Sequence, residues 1–263
     1  MGQLKEMKMK KINVICFLIA VSLFWGGTAR ADDNDSALES YNRTMYDINT
    51  TLDDYIMKPL AKGYRAITTP FIRERVRNFF SNLREPASAI NHTLQGNLAE
   101  SGNSVGRFAV NSTLGLLGAF DVANGWGLKK SRTGLDETLA KWCVPDGPFI
   151  VLPFFGPSTP RNTVGMVGDA LADPIYWGKY YATFSEDWER YSFYYGLTAL
   201  GFVSLREENL EFLDDLTSSS VDVYGTIKSA FIQNRLKLNV CADKDAADAP
   251  ASYDFDFDDD EDY

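Results

Sequence analysis

Apolar side chains recur at helical spacing through most of this chain, and Gly/Pro turns separate the runs. The first amphipathic stretch, Ser36 to Ile56, predicts a helix that Pro59 and Gly63 break or bend. Thr69-Pro70 is a helix start: a Thr at the N-cap and Pro at the first helical position. After it Phe71, Ile72, Val76, Phe79, Phe80 and Leu83 line one face, with Arg73, Glu74, Arg75 and Arg77 on the other. Pro86 ends that helix, and a short one runs to Gln95-Gly96. Asn97 to Thr113 predicts another helix, Thr159-Pro160 repeats the Thr-Pro start, and Ser185 to Leu205 is an aromatic-rich helix. The last is Ser220 to Val240, with Val223, Tyr224, Ile227, Ala230 and Phe231 on one stripe. No alternating strand pattern and no internal repeat stands out, so the expected class is all-α.

Two apolar segments fall outside this rhythm. Leu114 to Gly127 is glycine-rich and nearly uncharged. Pro145 to Pro157 holds four prolines and two glycines, which excludes a regular helix or a central strand. It nevertheless carries Phe149, Ile150, Val151, Leu152, Phe154 and Phe155. A stiff apolar loop of this kind either plugs a core or meets a lipid or protein surface.

The ends differ from the body. Residues 1–31 read as a signal peptide: Lys5, Lys8, Lys10 and Lys11 precede the apolar run Ile12 to Trp25, and Ala29-Arg30-Ala31 is a small-x-small cleavage site. Cys16 lies inside the apolar run, away from the cleavage site, so it does not read as the acylated cysteine of a lipoprotein. The helical domain is placed at 32–242. The segment 243–263 has ten acids and one lysine, a composition that favours a solvated disordered tail, with a docking strand anchored by Tyr253, Phe255 and Phe257 as the sharper reading. The whole chain is −10. An acidic body disfavours nucleic acid as a partner, because phosphate contacts need Lys and Arg clusters. Cys143 and Cys241 could form one disulfide; unpaired small hydrophobes is the preferred reading.

Catalytic machinery is hard to find. Gly102-Asn103-Ser104-Val105-Gly106 matches the G-x-S-x-G nucleophile pattern, but its surroundings are helical and His92, the one histidine, precedes it in the chain. His92 reads as a surface or capping residue. One His and two distant Cys give no metal-ligand spacing, and no phosphate-cradling glycine motif occurs, so no metal, cofactor or enzymatic activity is expected. Asp53-Asp54 and Asp214-Asp215 are adjacent on helices, point apart, and read as solvated faces.

Several stretches together resemble one family, the MlaA/VacJ outer-membrane phospholipid transport proteins. They are Tyr41-Asn-Arg-Thr-Met-Tyr-Asp-Ile-Asn49, Asn78-Phe-Phe-Ser-Asn-Leu-Arg-Glu-Pro86, Leu94-Gln-Gly96, Gly106-Arg-Phe-Ala-Val-Asn111 with Gly115, and Asp121-Val-Ala123. Thr138-Leu139, Gly147-Pro-Phe149, Leu152-Pro153, Gly156-Pro-Ser158, Arg161, Asp222-Val-Tyr224 and Phe231-Ile-Gln-Asn-Arg235 follow in order. The resemblance implies a ring-like arrangement of amphipathic helices on the periplasmic side of the outer membrane. It further implies a polar passage by which phospholipid misplaced in the outer leaflet reaches a soluble periplasmic lipid carrier, in association with a trimeric porin. It assigns lipid gating to the loop residues Gly147, Pro148, Phe149, Pro153, Phe154, Phe155 and Gly156. It assigns structural roles to Asn42, Arg43, Asn82, Glu85, Pro86, Arg107, Asn111 and Arg161.

Two departures stand against that pattern. No lipid-modified cysteine is in place, and Cys143 and Pro145 occupy positions where the family tends to have glycine. The alternatives are a soluble periplasmic interaction protein acting through its acidic tail, and a lipid hydrolase at Ser104.

Overall fold

The structure, a computed structural model, describes residues 31–181 and 186–238. The expected signal peptide and acidic tail, including Cys16 and Cys241, lie outside the described residues. Helix α1 (Ala31–Leu52) passes into a π-helical turn (Asp53–Met57) and then α2 (Lys58–Ile67). The expected break at Pro59 is absent. The Lys58 amide donates to the Asp53 carbonyl across a widened turn, and Pro59 falls in the first turn of α2, where its missing N–H costs nothing.

The helix starts follow the sequence closely. Helix α3 (Pro70–Leu83) is capped by the Thr69 hydroxyl, which accepts from the Ile72 amide. Helix α4 (Glu85–Leu94) begins after a kink at Arg84 and ends at Gly96, whose φ of +76° only glycine adopts freely. Asn97 caps α5 (Leu98–Thr113), and α6 (Val122–Gly125) and α7 (Leu135–Lys141) are short. Thr159 caps α8 (Pro160–Ala172), and α9 (Pro174–Tyr181), α10 (Asp187–Glu208), α11 (Leu210–Ser219) and α12 (Val223–Leu236) complete the series. Helices α4 and α5 pack together, as do α7 with α8 and α2 with α10.

The fold is all-α apart from one hairpin that the sequence reading did not foresee. Strands β1 (Ile150–Leu152) and β2 (Gly156–Ser158) pair antiparallel inside the Pro/Gly-rich segment. The ladder is two-stranded, so Pro157 needs no second partner and the proline objection to a central strand does not apply. The segment does both things its composition allowed: Ile150 and Val151 are buried, whereas Phe154 and Phe155 stand out.

Three further expectations are overturned. Cys143 is disulfide-bonded, not an unpaired hydrophobe, and its partner lies outside the described residues. His92 is buried, and its Nε2 sits 3.1 Å from the Ser131 carbonyl. Asp53 and Asp214 are ion-paired, with Arg206 and Lys58 respectively, so those helix faces are not simply solvated.

Burial is inverted relative to an ordinary globular domain. Among the described residues 18 polar or charged side chains are buried against nine apolar ones, and five of those nine are alanine. Large apolar side chains populate the exterior instead, including Ile67, Phe71, Leu98, Trp126, Trp142 and Trp188. Water penalises such a surface, and an apolar medium does not. No helix among the described residues is long and apolar enough to cross a membrane.

Candidate functional site

Three ionic clusters form the polar interior. In the first, Arg107 on α5 donates through Nε to Glu85 (2.8 Å) and through Nη2 to both oxygens of Asp121 (3.0 and 3.1 Å). Asn111 joins it, donating to Asp121 and accepting from the Ala123 amide. Burial works against the Arg107 charge, but the bonds and charges of Glu85 and Asp121 outweigh it and hold the guanidinium above its ordinary value. In the second, Arg161 and Arg235 converge on Asp136 and Asp146, and Thr159 donates to Asp146. Arg161 also donates to the Val144 carbonyl at 2.8 Å. In the third, Glu207 on α10 gathers Arg65, Arg73 and Arg77 from α2 and α3.

The second cluster fixes the base of the hairpin segment, since Val144 and Asp146 lead directly into it. Its middle is fixed separately. Asn49 on α1 donates from Nδ2 to the Leu152 carbonyl (2.8 Å) and accepts the Phe154 amide on Oδ1 (2.7 Å). Phe149 packs edge-on to Tyr224 and Phe231 of α12. Within the turn Pro153–Gly156 the Phe154 backbone is thus held, while its side chain stands 80% exposed at a φ of +66°.

A second irregular segment supports the interior. The chain from Leu128 to Gly134 belongs to no helix or strand, yet several of its carbonyls are bonded by side chains. Arg107 takes that of Leu128, Asn103 that of Lys129 and Ser88 that of Thr133, while the His92 ring lies against that of Ser131. This strap carries Arg132 along one wall of a cavity of about 490 Å³, which Arg84, Glu137, Phe155, Met166, Asp169 and Asp173 also line. A second cavity of about 420 Å³ is walled by aromatics, among them Phe80, Tyr191, Tyr195 and Phe202. The two share Leu83, Arg84, Ala170 and Asp173, so a chamber that carries the charged side chains adjoins an aromatic one. Phe155 stands at the seam, 6.5 Å from the Phe202 ring.

Of the seven loop residues named from the sequence, Phe155 alone lines either cavity. Gly147 adopts a φ of +82° with Pro160 so close that a Cβ would lie 2.9 Å from it, which makes it a structural glycine. Pro148, Pro153 and Phe154 are exposed, Phe149 is half-buried, and Gly156 turns the hairpin at a φ of +78°. The eight other residues fall on the packing and bonding of the interior. Asn42 is buried. Arg43 lies over the Tyr224 ring at 4.4 Å, and Asn82 donates to Ser112. Glu85, Arg107, Asn111 and Arg161 hold the clusters, and Pro86 starts α4. Ser104 is fully buried in mid-helix on α5, not at the strand-to-helix corner the hydrolase pattern requires.

Sequence reasoning missed Arg84, Arg132, Asp169 and Asn49 as site residues. Arg84 and Asn49 lay within quoted motifs, but nothing local distinguishes an arginine that faces a cavity from one that faces water.

These features agree with what is found among known proteins. The family model described as "MlaA lipoprotein" matches residues 34–238. The chain belongs to the MlaA family. An MlaA relative from Escherichia coli strain K12, the intermembrane phospholipid transport system lipoprotein MlaA, is 30% identical, with 85% of this chain and 87% of the relative covered. A relative from Haemophilus influenzae with the same description is 31% identical over 81% of this chain and 82% of its own length. A solved chain concerned with the structural basis for maintenance of bacterial outer membrane lipid asymmetry superposes with a TM-score of 0.62 at 30% identity. That match covers 77% of this chain and 98% of the solved one. The MlaA match contains every cluster and both cavities described above, and stops short of the acidic tail.

Proposed function

We propose that this chain is the outer-membrane component of an intermembrane phospholipid transport system. It takes phospholipid that has strayed into the outer leaflet and passes it to a soluble periplasmic carrier, which maintains lipid asymmetry. The observation that carries this reading is the inverted burial around a chamber that is polar on one side and aromatic on the other. A phospholipid has the same two-part character, and moving its charged headgroup through hydrocarbon without a polar path is costly. The exposed aromatic and aliphatic side chains would seat the protein in one leaflet, and a ring of helices around the chamber, in contact with a trimeric porin, is the arrangement that fits this role. The turn at Pro153–Gly156 gates the chamber, with Phe155 as the moving wall.

The test is surface-exposed phospholipid in cells lacking the gene. Exposure should rise on deletion and fall again when the full chain is restored. Normal asymmetry in the deletion strain sinks the reading. Loss of function on removal of 243–263 alone, with asymmetry intact, would point instead to a tail-driven interaction protein.

A further inference from the structure

The charges facing the polar chamber are not equivalent. Its carboxylates are all engaged by the protein itself. Glu137 accepts from the Gly134 amide, and Asp173 from the Ile175 amide. Asp169 accepts from the Leu135 amide and the Asn91 side chain, and Asp136 is held by Arg161 and Arg235. Arg84 and Arg132 are the exception: among the described residues neither guanidinium has a hydrogen-bond or ion-pair partner. Both are exposed, and both line the chamber.

Both arginines are also rigidly placed. Arg84 occupies the kink between α3 and α4, where its own amide and carbonyl bond to Ser81 and Ser88, and Pro86 enforces the helix that follows. Arg132 rides on the strap, whose carbonyls at Ser131 and Thr133 are held from α4. Burial first, and then the charge of Arg84, push the Arg132 guanidinium below its ordinary value. The two like charges act on each other along the wall of the chamber, and an anion bound between them would relieve that repulsion.

We infer that Arg84 and Arg132 form a clasp for the phosphate of a glycerophospholipid, with the acyl chains lying along the adjoining chamber of Phe80, Tyr191, Tyr195 and Phe202. Guanidinium forks match phosphate oxygens in geometry, and each carboxylate of the chamber already accepts hydrogen bonds from the protein. Arg84 borders both chambers, which is where the junction of headgroup and chains belongs. This rests on the phospholipid-transport reading and specifies which atoms the passage recognises.

The test is calorimetric titration of the purified full chain in maltoside detergent. Three probes are used: dihexanoylphosphatidylethanolamine below its micelle threshold, dihexanoylglycerol, and inorganic phosphate. The phospholipid should bind more tightly than either of the others. Arg84→Gln and Arg132→Gln should each weaken it about tenfold, the loss of one charge-assisted bond. The double variant should bind it no better than dihexanoylglycerol, while Lys129→Gln, next on the strap but outside both chambers, binds like wild type. Melting temperatures of the arginine variants should not fall, since no protein contact is lost. If the double variant keeps wild-type affinity, the clasp is wrong while lipid handling stands. Inorganic phosphate binding as tightly as the phospholipid would overturn the lipid assignment and leave a free-phosphate site. If neither lipid binds the wild-type chain, the transport reading fails and takes the clasp with it.

Discussion

Single residues in this molecule act mainly through buried charge. Arg107 and Glu85 both have side chains about 2% exposed, so removing one partner strands the other in a medium that cannot solvate it. Arg107→Leu is expected to lower stability by about 3–5 kcal/mol, read as the urea midpoint, whereas replacing an exposed pair such as Arg190–Asp187 should cost under about 1 kcal/mol. Equal small losses at both would remove the ionic clusters as the basis of the fold. Protonation tests the same physics without mutation. Burial would raise the Asp146 carboxyl, but bonds from Arg235 and Thr159 and the charges of Arg235 and Arg161 bring it below its ordinary value. A lowered folded value contributes stability that is present above the unfolded value and lost as pH falls through the folded one. Asp121 behaves alike. The urea midpoint should therefore drop as pH falls below about 4. Asp173 has the opposite sign, since burial raises it. Its contribution is complete below the unfolded value and lost as pH rises through the raised folded value. Asp173→Asn should thus raise the melting temperature at pH 7 and leave it unchanged below about pH 4; a fall at pH 7 would contradict that sign.

At the scale of elements, the hairpin and the strap show how much the chain declares in advance. Asn49→Ala removes both bonds that pin the hairpin and should cost about 1–2 kcal/mol. Its sharper signature is local: amide exchange at Phe154 should quicken while Val151 stays protected, and uniform quickening would mean the hairpin has no separate hold. Helix starts at Thr69, Asn97 and Thr159 were legible because each cap is a local bond between neighbours, spelled by residue type. The all-α class followed from periodicity for the same reason. The hairpin was not legible, because β1 and β2 are three residues each and Asn49, which sets their position, lies about a hundred residues away in the chain. The strap was hidden for a related reason. Leu128 to Gly134 has no period of its own, and its order is imposed by Ser88, His92, Asn103 and Arg107. The burial of His92 went unforeseen because its partner is a backbone carbonyl, which leaves no mark in sequence. Glu85, Arg107 and Arg161 of the family motifs lie in the buried ionic clusters, yet Arg84, one position from Glu85, carried no sign that it faces the chamber.

At the scale of the whole molecule, the exterior must be accounted for in a medium other than water. Leu116 and Leu117 make this case in two independent ways. Each is 68% exposed, and each holds a left-handed backbone, at φ of 52° and 59°. Leucine pays roughly 1 kcal/mol for that conformation, and asparagine, whose side chain bonds locally, pays less. The neighbouring Gly118 turns at a φ of +93° with its Cα against Asn82, so the turn is fixed by packing and does not depend on which residues precede it. In water alone, asparagine would therefore be the better residue at both positions on conformation and on solvation. The leucines are explained if their side chains lie among acyl chains, where each is favoured by about 1.5–3 kcal/mol over exposure to water. The double variant Leu116→Asn, Leu117→Asn should then keep or raise the urea midpoint below the micelle threshold of maltoside while shifting the chain out of the outer-membrane fraction of cells. Retention in that fraction with a lowered midpoint would mean the two leucines serve the fold, and the apolar exterior would need a protein partner, not lipid, to cover it.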